Sequence, residues 1–330
     1  MITAALRRTI LAVSPGADDP LLRPGPKPGS YTTALPFRLQ PDDPAQAAAT
    51  MAATLKNEPW IASAEVTGPG FVTVTVTHAT LARLAVRITQ AGPACAASDA
   101  LAGRTVPAES PPPAASPPPA ASPPPAAPTW PQARAALAAQ LTARLAATAG
   151  AHMDNERSSV PASLPPARGP VADAVEFAGA DATRFALARM PPGGVPPDPA
   201  VLARHVLANP AYAVRYAHAA AAAVLRWAAA LGIRPAGFTP RLLAEPGELA
   251  LLDALSWLPE RVAVAARRGR PDEFAGYLAE LAARTIDTMS TTSFTKIAGI
   301  SSERLWLADA ARTGLAAGLD LLGIGAPSRL

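Results

Sequence analysis

With 330 residues the chain is long enough for two modest domains, each with its own core. Hydrophobic residues make up 49% but aromatics only 5%, so alanine carries most of the apolar content and helix is favoured. The net charge of +4 is spread as +2 over residues 1–95, +1 over 96–169 and +1 over 170–330, which excludes bulk electrostatic capture of nucleic acid and leaves only local clusters.

Residues 1–95 read as a small α/β domain. The opening "MITAALRRTILAVSPGADD" has no signal-peptide core with a cleavage site, and a first helix is predicted over Thr3–Val13. A Pro/Gly-rich loop follows, "LLRPGPKPGSYTTALPF", then a second helix across "PAQAAATMAATLKN". "WIASAEVTGPGFVTVTVTHAT" predicts two strands around a turn at Gly68-Pro69-Gly70, with Phe71 buried. In "FVTVTVT" the alternation is strict. Val72, Val74 and Val76 take the core face; Thr73, Thr75 and Thr77 take the wet face. A helix over Thr80–Gln90 closes the unit. Cys95 is the only cysteine, which excludes an intrachain disulfide and a cysteine-based zinc site.

Residues 96–170 read as a Pro/Ala-rich linker. "SPPPAASPPPAASPPPAAP" repeats every six residues and predicts a semi-rigid polyproline II spacer, with an SH3-type ligand as the less favoured alternative. A short helix is expected in "PQARAALAAQLTARLAATAG", followed by a loose stretch over 151–170.

Residues 171–330 predict an all-α bundle. The expected helices are Val171–Arg189, Pro199–Leu207, Ala211–Leu231, Pro246–Trp257, Pro259–Arg268, Pro271–Met289 and Glu303–Leu322, with Gly232, Gly269 and Gly323 near helix ends. No window of about 18 residues is apolar enough to span a bilayer. The expectation is therefore a cytoplasmic protein with no membrane partner.

The stretch "NPAYAVRYAHAAAAAVLRWA" presents two surfaces. Val214, Ala217, Ala221, Val224, Leu225 and Ala228 form a core stripe. Tyr212, Arg215, Tyr216, Ala219, Arg226 and Trp227 form the other face. Tyrosine and tryptophan stack on unpaired bases, and arginine pairs with phosphate. Burial of the tyrosines on a second side of the bundle remains the competing reading. His218 reads as a hydrogen-bonded structural histidine. "ARRGRP", with Arg267, Arg268 and Arg270, is the densest basic cluster; phosphate contact and a helix C-terminal dipole role are both open. Tyr31 is a further stacking candidate beside Lys27 and Arg38, whereas Phe37 reads as core. Asp18-Asp19 and Asp42-Asp43 read as solvated turn formers. Neither a catalytic constellation nor a cofactor or metal site is legible.

Several of these pieces resemble the arginyl-tRNA synthetase family. Asn209, Pro210, Tyr212, Val214, Tyr216, Ala217, His218 and Ala219 look like the signature of its anticodon-binding domain. "GADATRFALARM" resembles the stretch that names this DALR domain, with Asp181, Ala182 and Arg184 matching and Thr183 in place of leucine. "GLAAGLDLLGIGAPSRL" resembles the family's C-terminus, with Leu330 where methionine is usual. "IASAEVTGPGFVTVTV" looks like the N-terminal additional domain, which in the family contacts the D-loop corner of tRNA. Arg215 stands where glutamine is usual and Ala220 where arginine is usual. "TIDTMSTTS" lacks an aromatic pair common there, so fewer rings are available for stacking.

The class I catalytic fold has no counterpart in the 96–170 stretch, which is too short for a doubly wound sheet. The His-x-Gly-His signature needs two histidines three apart, and His78, His152, His205 and His218 are not so spaced. Met289-Ser290 in "TMSTTSFTK" resembles a Lys-Met-Ser-Lys loop only by coincidence. What the resemblance implies is a non-catalytic relative that binds tRNA or a tRNA-like RNA. The alternatives are a protein-interaction module and an auxiliary subunit acting with a separate synthetase-like catalytic chain.

Overall fold

The computed structural model describes residues 1–106, 129–151, 169–296 and 299–330. The proline repeat and most of the 151–170 stretch lie outside these residues. The chain folds as a small N-terminal α/β region with a four-stranded sheet and a mostly helical remainder. It forms two compact units. The first joins Met1–Cys95 to Val224–Trp257 and Asp287–Thr313; the second joins Ala96–Ala223 to Leu258–Ile286 and Gly314–Leu330. The first unit thus draws in two stretches that local patterning groups with the helical domain.

In chain order the first unit begins with helix α1 (Ile2–Ala12), strands β1 (Leu22–Pro24) and β2 (Ser30–Thr33), and helices α2 (Pro36–Leu39) and α3 (Pro44–Leu55). Strands β3 (Ile61–Thr67) and β4 (Phe71–Val76) follow, then α4 (His78–Ala82) and α5 (Leu84–Ala91). The sheet order is β1-β2-β4-β3 and every pairing is antiparallel. Val72, Val74 and Val76 are buried, as their alternation requires, while Thr73 and Thr75 lie on the opposite, half-buried face. Burying each valine contributes about 1.5–3 kcal/mol. Across the wet face the hydroxyls pair, Thr32 with Thr73 at 3.1 Å and Thr67 with Thr73 at 3.0 Å.

Three local expectations are corrected here. The Pro/Gly-rich loop at 21–37 contains β1, β2 and the start of α2; the two strands are too short to show periodicity, and pairing of β1 with β2 and of β2 with β4 makes them part of the sheet. The helix expected over Thr80–Gln90 is two helices, α4 and α5. Phe71 is half-buried, edge-on to Phe37 at 4.9 Å, rather than buried. The aspartates also do more than form turns. Asp43 caps α3 by accepting from the Gln46 amide at 3.0 Å. Asp19 is buried, 3.8 Å from the buried Arg7 guanidinium, and accepts from the Leu21 amide at 3.0 Å.

The later helices are α6 (Trp130–Thr148), α7 (Pro170–Ala178), α8 (Ala180–Arg189), α9 (Pro199–Leu202), α10 (Pro210–Ala230), α11 (Pro246–Ser256), α12 (Leu258–Arg268), α13 (Pro271–Met289), α14 (Thr292–Thr295) and α15 (Ser302–Leu322). Prolines open many of them, where a missing N–H loses no hydrogen bond. The single helix expected over Val171–Arg189 is broken into α7 and α8 at Gly179, whose φ of +90° interrupts the helical backbone. The helix expected over Pro199–Leu207 ends at Leu202, where the Asn209 carboxamide takes up the Leu202 carbonyl. The helix in "PQARAALAAQLTARLAATAG" is α6, which packs against α8 and α12 in the second unit. In the first unit, Arg304 of α15 bridges Glu245 and Glu248 of the α11 cap region, with both contacts at 2.6 Å.

Candidate nucleic-acid interface

Asn209 starts α10 and does two things at once. Its carboxamide oxygen accepts from the Ala211 amide at 3.1 Å, which caps the helix. Its carboxamide nitrogen donates to the carbonyls of Leu202 and Arg204, both at 2.8 Å. These bonds hold the carbonyls at the end of α9 and stop that helix at Leu202. Asn209 itself is buried.

One turn into α10, Tyr212 and Tyr216 lie on one face by i, i+4 spacing. Their rings stack at 5.7 Å between centroids, with 26° between planes. The pinned loop adds a third ring: His205 stacks on Tyr212 at 5.3 Å and only 12°. Tyr216 is 37% exposed, His205 is exposed, and Tyr212, between them, is half-buried. His205 carries no motif signal in the sequence; only the loop geometry brings it to the tyrosines.

Arg215 is half-buried and lies 3.6 Å from the Asp181 carboxylate. Asp181 also accepts from the Gly325 amide at 3.5 Å. Arg184, its neighbour in the DALR-like stretch, donates from Nε to the Leu322 carbonyl at 2.6 Å. Its guanidinium lies against Gly323, where a Cβ would come 2.8 Å from Arg184 Nε; Gly323 also needs φ of +69° to end α15. His218 is buried and hydrogen-bonds through Nδ1 to the Pro327 carbonyl at 2.9 Å, so Nδ1 is the donor. Asp181, Arg184 and His218 therefore hold the C-terminal tail, and the structural reading of His218 fits this geometry.

The remaining candidates differ in their surroundings. Arg226 is exposed and Trp227 half-buried, and both belong to the first unit, whereas Tyr212, Arg215 and Tyr216 belong to the second. Ala219, expected on the polar face, is buried. Of the basic cluster, Arg267 is half-buried. Arg268 lies 3.0 Å from Glu273, and Arg270 grips Asp272 with two bonds of 2.8 and 2.6 Å. That grip raises the Arg270 pKa, so the group is held cationic but already paired.

In the first unit Tyr31 is no surface residue. It is fully buried, its hydroxyl donates to Ser256 Oγ at 2.7 Å, and its ring lies 5.3 Å from that of Trp257. Burial pushes its phenol pKa up. It cannot stack on a base without unfolding its surroundings. Lys27 and Arg38 are exposed, and Arg38 lies 3.7 Å from Asp18 in a solvated pair of little energetic weight. Among the described residues, no cluster of three or more His, Cys, Asp or Glu is placed to hold a metal, and no helix is long and apolar enough to cross a membrane.

Comparison with known proteins gives this geometry a context. Residues 214–330 match the model of the DALR anticodon binding domain. The arginine–tRNA ligase of Clavibacter sepedonicus is 40% identical over 164 residues, covering 48% of this chain and 30% of its own length. That of Kineococcus radiotolerans is 41% identical over 165 residues, with the same 48% and 30% coverage. The solved arginyl-tRNA synthetase of Thermus thermophilus is 25% identical with a TM-score of 0.38, covering 59% of this chain and 32% of that one. The chain thus spans 30% of the length of the curated relatives it matches. Residues 214–330 are thus similar to the DALR anticodon binding domain, on a chain that resembles arginine–tRNA ligases over about half of its own length.

Proposed function

We propose that this chain is a non-catalytic relative of the arginine–tRNA ligases that binds tRNA or a tRNA-like RNA. The observation that carries the reading is the anticodon-binding domain match with Tyr216 exposed on its first helix and stacked on Tyr212. An anticodon loop offers unstacked bases, and each base stacked on an aromatic ring is worth about 1–3 kcal/mol. Phosphate contacts add a sequence-independent, salt-sensitive term. Exposed Lys27, Arg38 and Arg226 are candidates for it, together with Trp227 as a further ring; Arg38, Arg215, Arg268 and Arg270 each face a carboxylate and would have to exchange partners. The net charge of +4 keeps this term modest. Arginine activation is not expected of this chain, because its 96–170 stretch carries no class I signature.

A second reading has its own support. Phe177, Val195, Val201 and Leu207 of the second unit are large apolar side chains left exposed, which fits a protein-interaction module or an auxiliary subunit that meets a separate synthetase-like catalytic chain. Titration of the full chain with an arginine tRNA and an unrelated tRNA, at low and at physiological salt, separates the two. Binding that weakens steeply with salt and prefers one tRNA supports the first reading. No binding at low salt sinks it, and co-purification with a synthetase-like partner then supports the second.

A further inference from the structure

We propose that His205 is an RNA-contacting residue, the outermost ring of a preorganised ladder on which an unpaired nucleobase stacks. The inference rests on the RNA-binding reading above and goes beyond it, because His205 lies outside the residues that carry the family resemblance.

The loop between α9 and α10 is held at several points. The Asn209 amide donates to the Val206 carbonyl at 2.9 Å, and the Arg204 amide to the Val201 carbonyl at 3.2 Å. The Asn209 carboxamide ties down the carbonyls on either side of Ala203, at Leu202 and Arg204. A loop so fastened holds the His205 imidazole flat against Tyr212, with 12° between the ring planes, while His205 remains exposed. Folding alone gives little reason for this arrangement: an exposed imidazole is well hydrated in many orientations, and the Asn209 bonds close the loop without its side chain.

A ladder of parallel rings that ends at the surface presents a flat π-face, and nucleobases stack on such a face with little regard to sequence. Ordering the ring in advance lowers the entropy lost on binding. Arg204 is exposed and adjacent in sequence, with a guanidinium suited to the phosphate of the stacked nucleotide. The ligand class is therefore single-stranded RNA with at least one splayed base.

The test uses the full chain and a short single-stranded RNA carrying 2-aminopurine at its centre, beside the same RNA with an abasic site there. Wild-type protein is expected to change the 2-aminopurine fluorescence and to bind the abasic probe more weakly. His205→Ala should weaken binding of the 2-aminopurine probe roughly 5- to 100-fold. His205→Phe, which keeps a ring, should stay within about 2-fold of wild type. Unchanged affinity for His205→Ala, or equal binding of the abasic and 2-aminopurine probes, overturns the inference. If tRNA still binds with steep salt dependence in that case, the broader RNA-binding reading survives. If wild type binds no RNA at low salt, both fall. Should His205→Ala lower the melting temperature, the abasic comparison on wild type and His205→Phe still decides.

Discussion

Tyr31 in the first unit and Tyr216 in the second are the same residue with opposite fates. Tyr31 is sealed under Trp257 with its hydroxyl on Ser256, while Tyr216 stands 37% exposed at the end of a ring stack. Both sit in stretches with a nearby cation, and both read locally as stacking candidates. The difference is that β2 is covered by a segment more than 200 residues later in the chain, and the start of α10 leaves Tyr216 accessible. An aromatic side chain becomes a binding surface only where the fold fails to find it a partner.

The largest expected effect tests the buried side of this contrast. Tyr31→Ala should lower the stability of the first unit by about 3–5 kcal/mol, the range for removing a buried aromatic ring. Tyr31→Phe should lower it by about 0.5–1.5 kcal/mol through the lost hydrogen bond to Ser256, whose hydroxyl keeps its own bond to the Asp253 carbonyl. Chemical denaturation reads both, and RNA affinity measured on the folded fraction should not move. Next, Tyr216→Leu should weaken tRNA binding by about 1–3 kcal/mol while changing stability by no more than about 0.5 kcal/mol. If instead it destabilises the fold and leaves RNA binding untouched, the exposed tyrosine is structural and the contrast collapses.

Asn209 sharpens the comparison, because it supports the ladder without touching ligand. Asn209→Ala should cost about 1–2 kcal/mol of stability as a lost cap. Asn209→Asp keeps the acceptor for the Ala211 amide but loses both donors to Leu202 and Arg204. It also sets a buried carboxylate oxygen against those two carbonyl oxygens, so it should cost at least as much stability as Asn209→Ala and weaken RNA binding by loosening the His205 loop. Thr183 offers a smaller change of opposite sign. Its hydroxyl is buried, with no hydrogen-bond partner among the described residues, so Thr183→Val should raise stability by about 1 kcal/mol in a thermal melt.

The smallest effect concerns Cys95, whose thiol is buried and pushed up to about 11. The unfolded thiol ionises first, so this group's contribution is full below its unfolded pKa and declines as pH rises towards about 11. Stability measured from pH 8 to 10.5 should fall more steeply for wild type than for Cys95→Ala. A thiol reagent at pH 8 should also label native protein far more slowly than unfolded protein.

Much of the fold was legible beforehand. The valine–threonine alternation placed β4 and its core face, because burial on one side of a strand imposes a period of two. Alanine-rich runs between prolines and glycines marked α10, α12, α13 and α15. What stayed hidden was set by contacts distant in sequence. Strands β1 and β2 are too short to show a period and exist through pairing, β1 with β2 and β2 with β4. The break at Gly179 left little trace in a helix-favouring stretch, since one glycine is tolerated inside many helices. Of the candidate site, Tyr212 and Tyr216 could be read from their spacing and from the family resemblance. His205 could not, because a loop held by Asn209 brings it there.

The sequence by itself determined strand β4, the longer helices α10, α12, α13 and α15, and the likeness to an anticodon-binding domain, since propensity, period and motif are local properties. Only the tertiary structure decided which aromatic rings are covered and which arginines already have a carboxylate. Burial and pairing belong to two surfaces at once, and the second surface lies elsewhere in the chain: Ser256 and Trp257 for Tyr31, Asp181 for Arg215, the Pro327 carbonyl for His218.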